Sequence, residues 1–128
     1  MRLAALLAKG SASDASVLPA MQVLECATLG AARALGLDGR IGTIEVGKDA
    51  DVVAIDLSSP ETSPVFEPVS HLVYACGREN VSDVWVAGKP VVRMRQPTQR
   101  GGGLQEPEIS ALIRAWQNRI QSFLGRSQ

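Results

Sequence analysis

At 128 residues the chain is long enough for one domain with a core of its own. Its apolar fraction of 45% and charged fraction of 20% are those of an ordinary globular protein. Thirteen basic residues balance thirteen acidic ones, so no net field favours nucleic acid or an anionic membrane surface. No run approaches the roughly 18 apolar residues that a bilayer span needs.

Met1-Arg2 followed by LAALLA has the outline of a signal peptide. The apolar run Leu3–Ala8 is shorter than the usual segment of about 7–15 residues, and Lys9 ends it. Leu3, Leu6 and Leu7 instead share one helical face, so the pattern predicts a helix over 1–9 stopped by Gly10. Ser11–Ser16 reads as a polar loop, with Asp14 or Ser16 placed to cap a second helix over about Leu18–Leu35. Pro19 falls near that helix's start and Gly36 at its end. Its many alanines suit close approach to a large neighbour.

From Leu37 the period changes. Asp38-Gly39 and Gly47-Lys48 are turn signals around a short expected strand at Thr43–Val46. Asp51–Leu57 is a strand apolar on both faces, as inside a sandwich. Three prolines make 58–68 a loop, and Val69–Cys76 reads as a short helix ending at Gly77. Val81–Ala87 and Pro90–Arg95 form a hairpin across Gly88-Lys89, with Trp85 packing on one sheet face. Gln96–Glu106, with Gly101–Gly103, reads as a linker. Glu108–Leu124 is an amphipathic helix ended by Gly125, its stripe formed by Ile109, Leu112, Ile113, Trp116, Ile120 and Phe123. That stripe is read as core or interface packing.

Candidate chemistry is sparse. Gly42–Lys48 fits the GxxxxGK portion of a phosphate loop, but Asp49 follows where Ser or Thr would serve magnesium, and the next element is a strand. Asp49, Asp51 and Asp56 resemble a carboxylate site, yet they flank turns and no histidine accompanies them, so satisfaction of local amides is the better reading. His71, the only histidine, has no spacing that ties it to a nucleophile or a ligand set. Cys26 and Cys76 form neither a disulfide framework nor a CxxC pair; they read as reduced, buried, unreactive thiols of a cytoplasmic protein. Arg93, Arg95 and Arg100 lack interleaved aromatic residues and read as a solvated strand end. No catalytic, cofactor-binding or metal-binding residue is assigned.

Two long stretches carry a resemblance. ATLGAARALGLDGRIGTIEVGKDADVVAIDL at Ala27–Leu57 and HLVYACGRENVSDVWVAGKPVV at His71–Val92 resemble, in order, the C-terminal signature of the amidohydrolase superfamily. They look most like the branch of S-adenosylhomocysteine/methylthioadenosine deaminases and chlorotriazine hydrolases, and MRLAALLAKG resembles the segment just after that branch's last metal-binding aspartate. The resemblance covers about 1–95. It implies an α+β fragment: the last helices of a (β/α)8 barrel over 1–36, the C-terminal part of a composite β-sandwich over 37–95, and a linker with a C-terminal helix over 96–128. It further implies a zinc or iron ion that activates water against a C–N bond of a heterocyclic amine. The family's HxH pair, further histidines and aspartate have no counterparts here, so the isolated chain is expected to be inactive. Met1 is then expected to be an internal methionine or the product of truncation. The implied partners are an N-terminal barrel portion, a small-molecule substrate and, potentially, a second copy, with neither nucleic acid nor membrane. A non-catalytic assembly module complementing a separate barrel chain is the alternative.

Overall fold

The structure, a computed structural model, describes residues 1–98 and 106–124. Gly101–Gly103, Gly125 and Arg100 lie outside the described residues. Within them the chain is mixed α/β, with helices before and after one open antiparallel sheet.

Helix α1 spans Arg2–Ala12 and carries Gly10 inside it rather than at its end. Ser13 takes the left-handed position instead, at φ 50°, with its N–H donating to Gly10 O and that of Asp14 to Lys9 O. The Lys9 ammonium reaches past this end and donates to the carbonyls of Ala15 and Val17, both at 2.7 Å, holding the following loop against the helix. A terminator is thus supplied by tertiary grip on the loop, at the modest cost of a glycine in a helix interior.

The second helix is one helical run with a wide turn in it: α2 (Ala20–Glu25), a π turn (Cys26–Gly30) and α3 (Ala31–Ala34). It begins after Pro19, and neither Asp14 nor Ser16 caps it. The Asp14 carboxylate accepts the Ser16 amide and hydroxyl instead, closing a local turn. The π turn places the Glu25 carbonyl where a side chain at residue 30 would press on it: a Cβ there would lie 3.1 Å from Glu25 O. Thr28 Oγ1 also draws on the Leu24 carbonyl at 2.8 Å. Gly36, at φ 69°, ends the run as expected, with Leu37 N–H donating to Ala32 O.

The strand expected at Thr43–Val46 is absent. Residues 37–51 fold as successive turns, closed by Asp49 N–H on Arg40 O and by an Arg40–Asp49 ion pair at 2.8 Å. Strands need partners for their amides, and no described strand runs beside this segment. Ile44 is left 87% exposed and Val46 fully exposed.

Strands β1 (Val52–Ile55), β2 (Val81–Val86), β3 (Lys89–Arg93) and β4 (Gln96–Pro97) form the sheet in sequential order. β1 is shorter than the alternation 51–57 suggests, and its register shifts between Ala54 and Ile55. The hairpin turn lies one residue earlier than expected, at Ala87-Gly88, both with positive φ (48° and 74°). Two such residues give the primed turn whose twist matches the strands, and the Asp51 carboxylate accepts the Ala87 amide at 2.7 Å to hold it.

A second such turn, Met94-Arg95, adds β4 from what the sequence presents as linker. Neither residue is glycine, so side chains hold the unfavourable backbone. Asp83 accepts the Met94 amide, and Arg95 donates to Asp56 Oδ2 at 2.8 Å and to the Glu79 carbonyl. Arg93 pairs with Asp83 at 3.1 Å and stands over Trp85. Arg93 and Arg95 therefore fasten the strand end rather than simply solvating it.

Helix α4 (Pro68–Tyr74) sits between β1 and β2 in the chain. Pro68 supplies the fixed φ of its first position, and the Glu67 carboxylate accepts the Ser70 amide. It ends three residues before Gly77. Helix α5 (Glu106–Leu124) starts two residues earlier than its apolar stripe suggests. The core lies where α1, α2 and α4 meet: Ala5, Val23 and Val73 are buried against Leu18, Ala20 and Tyr74.

Asp56 reports on the sheet's closure. Hydrogen bonds from the Ser58 hydroxyl and amide, and then the Arg95 guanidinium, hold its carboxyl below the ordinary aspartate pKa. A carboxyl depressed in the folded state contributes stability above its unfolded pKa and loses it as pH falls through the folded one. Asp56→Asn is therefore expected to flatten the acid limb of the stability profile and to speed amide exchange in β4. An unchanged acid limb would remove Asp56 from this account.

Candidate functional site

The residues singled out for chemistry are dispersed. His71 lies on α4, where Nδ1 faces the Glu67 carbonyl at 3.1 Å. Cys76 is partly buried beyond the end of the same helix, and burial pushes its thiol pKa up, which makes it a poor nucleophile. Cys26, expected to be buried, is exposed on the π turn. Lys48 of the apparent phosphate loop is engaged: its ammonium donates to Thr43 Oγ1 at 2.6 Å and pairs with Glu45. Asp49 serves Arg40, Asp51 the Ala87 amide, and Asp56 Ser58 and Arg95. The three carboxylates therefore do not converge, and turn and strand-end satisfaction is their role.

Among the described residues, no three His, Cys, Asp or Glu side chains gather to hold a metal ion. A hydrolytic zinc or iron site takes three or more such donors, so the described residues do not fit the metal that the family resemblance implies. No catalytic step is derived through it. No described helix is long and apolar enough to cross a membrane.

Of the residues singled out, only Cys76 lines the open apolar cleft of about 570 Å³ between α1, α4 and β1. Leu3, Leu6, Ile55, Leu72 and Val73 line it. Arg2 spans the structure here, donating from Nη2 to the Cys76 carbonyl at 3.2 Å. Leu3, Leu6 and Leu7 nonetheless stay exposed. A smaller apolar recess shares Ile55 and Leu72 and continues toward Leu57 and Val69. Contiguous apolar surface of this kind marks a contact face or a ligand groove. The sequence shows the α1 leucines as one helical face; that Ile55 lines the same cleft as Leu3 and Leu6 depends on how the elements pack.

Comparisons with known proteins place the chain in a family. The model of the amidohydrolase family matches residues 1–91. A 5-methylthioadenosine/S-adenosylhomocysteine deaminase of Desulforudis audaxviator is 52% identical over 96 residues, covering 75% of this chain and 22% of its own. The enzyme of the same name from Teredinibacter turnerae is 39% identical over 120 residues, 94% of this chain and 26% of its own. Among solved structures, a zinc-bound adenosine deaminase from Xanthomonas campestris superposes with a TM-score of 0.89 at 48% identity, over 94% of this chain and 27% of that one. A zinc-complexed atrazine chlorohydrolase from Arthrobacter aurescens reaches 0.77 at 28% identity, over 89% of this chain and 24% of that one. The chain thus spans about a quarter of the length of these relatives. The resemblance borne by Ala27–Leu57 and His71–Val92 holds: the chain belongs to the amidohydrolase family, whose relatives here are hydrolases and deaminases.

Proposed function

We propose that this chain is the non-catalytic, C-terminal portion of a metal-dependent hydrolase that deaminates a purine-like or other heterocyclic amine at a non-peptide C–N bond. One observation carries the reading. The chain aligns over 94% of its length with a relative named as a methylthioadenosine/S-adenosylhomocysteine deaminase yet spans only 26% of it, while its described residues gather no metal-ligand group. In this reading 1–36 are the last helices of a (β/α)8 barrel, 37–95 contribute to a composite sandwich, and 96–128 are a linker and terminal helix. The zinc or iron, the activated water and the substrate contacts belong to the remainder of the enzyme. The apolar cleft beside α1 and the unpaired edge of β1 receive that remainder, since exposed leucines and open strand edges otherwise invite aggregation. Two free cysteines agree with a cytoplasmic setting.

The test is metal analysis of the purified chain together with deaminase assays on S-adenosylhomocysteine and methylthioadenosine. Absence of stoichiometric metal and of turnover is expected; either one present overturns the reading. The open cleft also favours a second arrangement, in which the chain complements a separate barrel chain. Co-purification with a barrel polypeptide, with activity appearing only in the mixture, would select that arrangement.

A further inference from the structure

We propose that Asp38-Gly39 is a covalent modification site, at which Asp38 converts through a cyclic imide to isoaspartate. The change loosens the turns that join the helices to the sheet. Leu37 O accepts the amides of Arg40 at 2.8 Å and Ile41 at 3.0 Å, so Asp38 and Gly39 are the central residues of one tight turn. Both are exposed, and neither has positive φ. Among the described residues, nothing accepts the Gly39 amide, and nothing donates to or pairs with the Asp38 carboxylate. A Cβ at residue 39 would meet nothing within 4 Å, so the Gly39 nitrogen stands open to its neighbour's side chain. The other five aspartates differ on both counts. Their carboxylates are engaged with Ser16, Arg40, Ala87, Ser58 and Met94, and each is followed by alanine, valine or leucine, whose Cβ crowds the backbone nitrogen.

The reaction is a condensation followed by a hydrolysis. The Gly39 nitrogen attacks Cγ of the protonated Asp38 carboxyl. The N–Cγ bond forms, and the carboxyl hydroxyl leaves as water with the amide proton. Water then opens the five-membered imide at either carbonyl. Opening at Cγ restores aspartate. Opening at the Asp38 main-chain carbonyl breaks its bond to the Gly39 nitrogen and leaves the chain running through Cβ and Cγ. Nothing is oxidised or reduced, and water is the only co-reactant. Attack requires both residues to rotate, and neither itself holds a hydrogen bond that the rotation would break. The product adds one methylene to the main chain between Leu37 and Arg40. Arg40 anchors the turns over 37–51, since its carbonyl accepts the Asp49 amide at 2.8 Å and its guanidinium pairs with the Asp49 carboxylate at 2.8 Å. The added length displaces Arg40 and weakens both contacts.

Incubation of the full chain in neutral buffer, followed by tryptic mapping, reads the site. The peptide Ala34–Arg40 is expected to split into two species of equal mass, the new one resistant to a protease that cuts before aspartate. In mildly acidic buffer a species one water lighter accumulates. Gly39→Ala is expected to fold as the parent does, because its Cβ meets open space and its φ is not left-handed, and to lose the product. In the aged chain the Asp49 amide exchanges faster. Absence of the isomer from the folded chain, whether or not the urea-unfolded chain forms it, would overturn the proposal. So would an equal yield in Gly39→Ala, a higher yield at any other aspartate, or unchanged exchange at Asp49. These readouts involve neither metal nor turnover, so they stand or fall apart from the proposed function.

Discussion

Val73→Asp is expected to abolish the cooperative melt of the chain and most of its helical circular dichroism. Val73 is 1% exposed, on α4, and is the largest fully buried side chain among the described residues. It meets Ala5 of α1 and Val23 of α2, so one position joins three helices. A carboxylate there would lose its hydration with no cation against it, a penalty of several kcal/mol, of the order of a small domain's entire stability of about 5 kcal/mol or more. Val73→Ala removes only two methyl groups and is expected to cost roughly 2 kcal/mol, visible as a lowered urea midpoint with an unchanged slope. The ranking matters more than either value. If the aspartate variant melted like the parent, the three-helix junction would not be the core.

The second large effect comes from a glycine pair that separates strain from crowding. Gly42 and Gly47 have nearly the same φ, 98° and 95°. A Cβ at Gly47 meets nothing within 4 Å, whereas one at Gly42 would lie 2.9 Å from the Ala32 Cβ and 3.0 Å from the Leu29 Cα. Gly47→Ala therefore carries only the backbone penalty, of order 1–3 kcal/mol. Gly42→Ala carries that penalty and must also push the turn away from the helix, a further overpacking cost of about 1–3 kcal/mol. Comparative denaturation of the two variants should show the larger loss at Gly42. Equal losses would mean that the turn does not press on the helix at all. Both glycines lie in the apparent phosphate loop, and positive φ at both, with the close contacts at Gly42, explains them without any phosphate.

Much of the local structure was legible because it rests on local causes. The helix end at Gly36, a strand within 51–57, a short helix after the proline-rich loop and the helix that bears the α5 stripe follow from side-chain spacing and from the special conformations of glycine and proline. Family membership was legible too, in Ala27–Leu57 and His71–Val92, because turn glycines and aspartates at fixed offsets make a long, ordered pattern. The misplaced features share a different cause. Ser13 rather than Gly10 ends α1 because Lys9 grips carbonyls of the next loop. β4 exists because Asp83, Glu79 and Asp56, from other parts of the chain, hold two non-glycine residues at positive φ. Ile44 and Val46 have strand-forming side chains and no strand to pair with.

By itself, the sequence determined most of the helices, strands β1 to β3, the family, and the place of Asp49, Asp51 and Asp56 beside turns. Tertiary structure alone decided the hairpin register, the exposure of Cys26, and the cleft that Ile55 lines together with Leu3 and Leu6. The division follows from range: backbone preference and periodicity act over a few neighbouring residues, whereas a cleft wall is set by packing between elements some fifty residues apart in the chain.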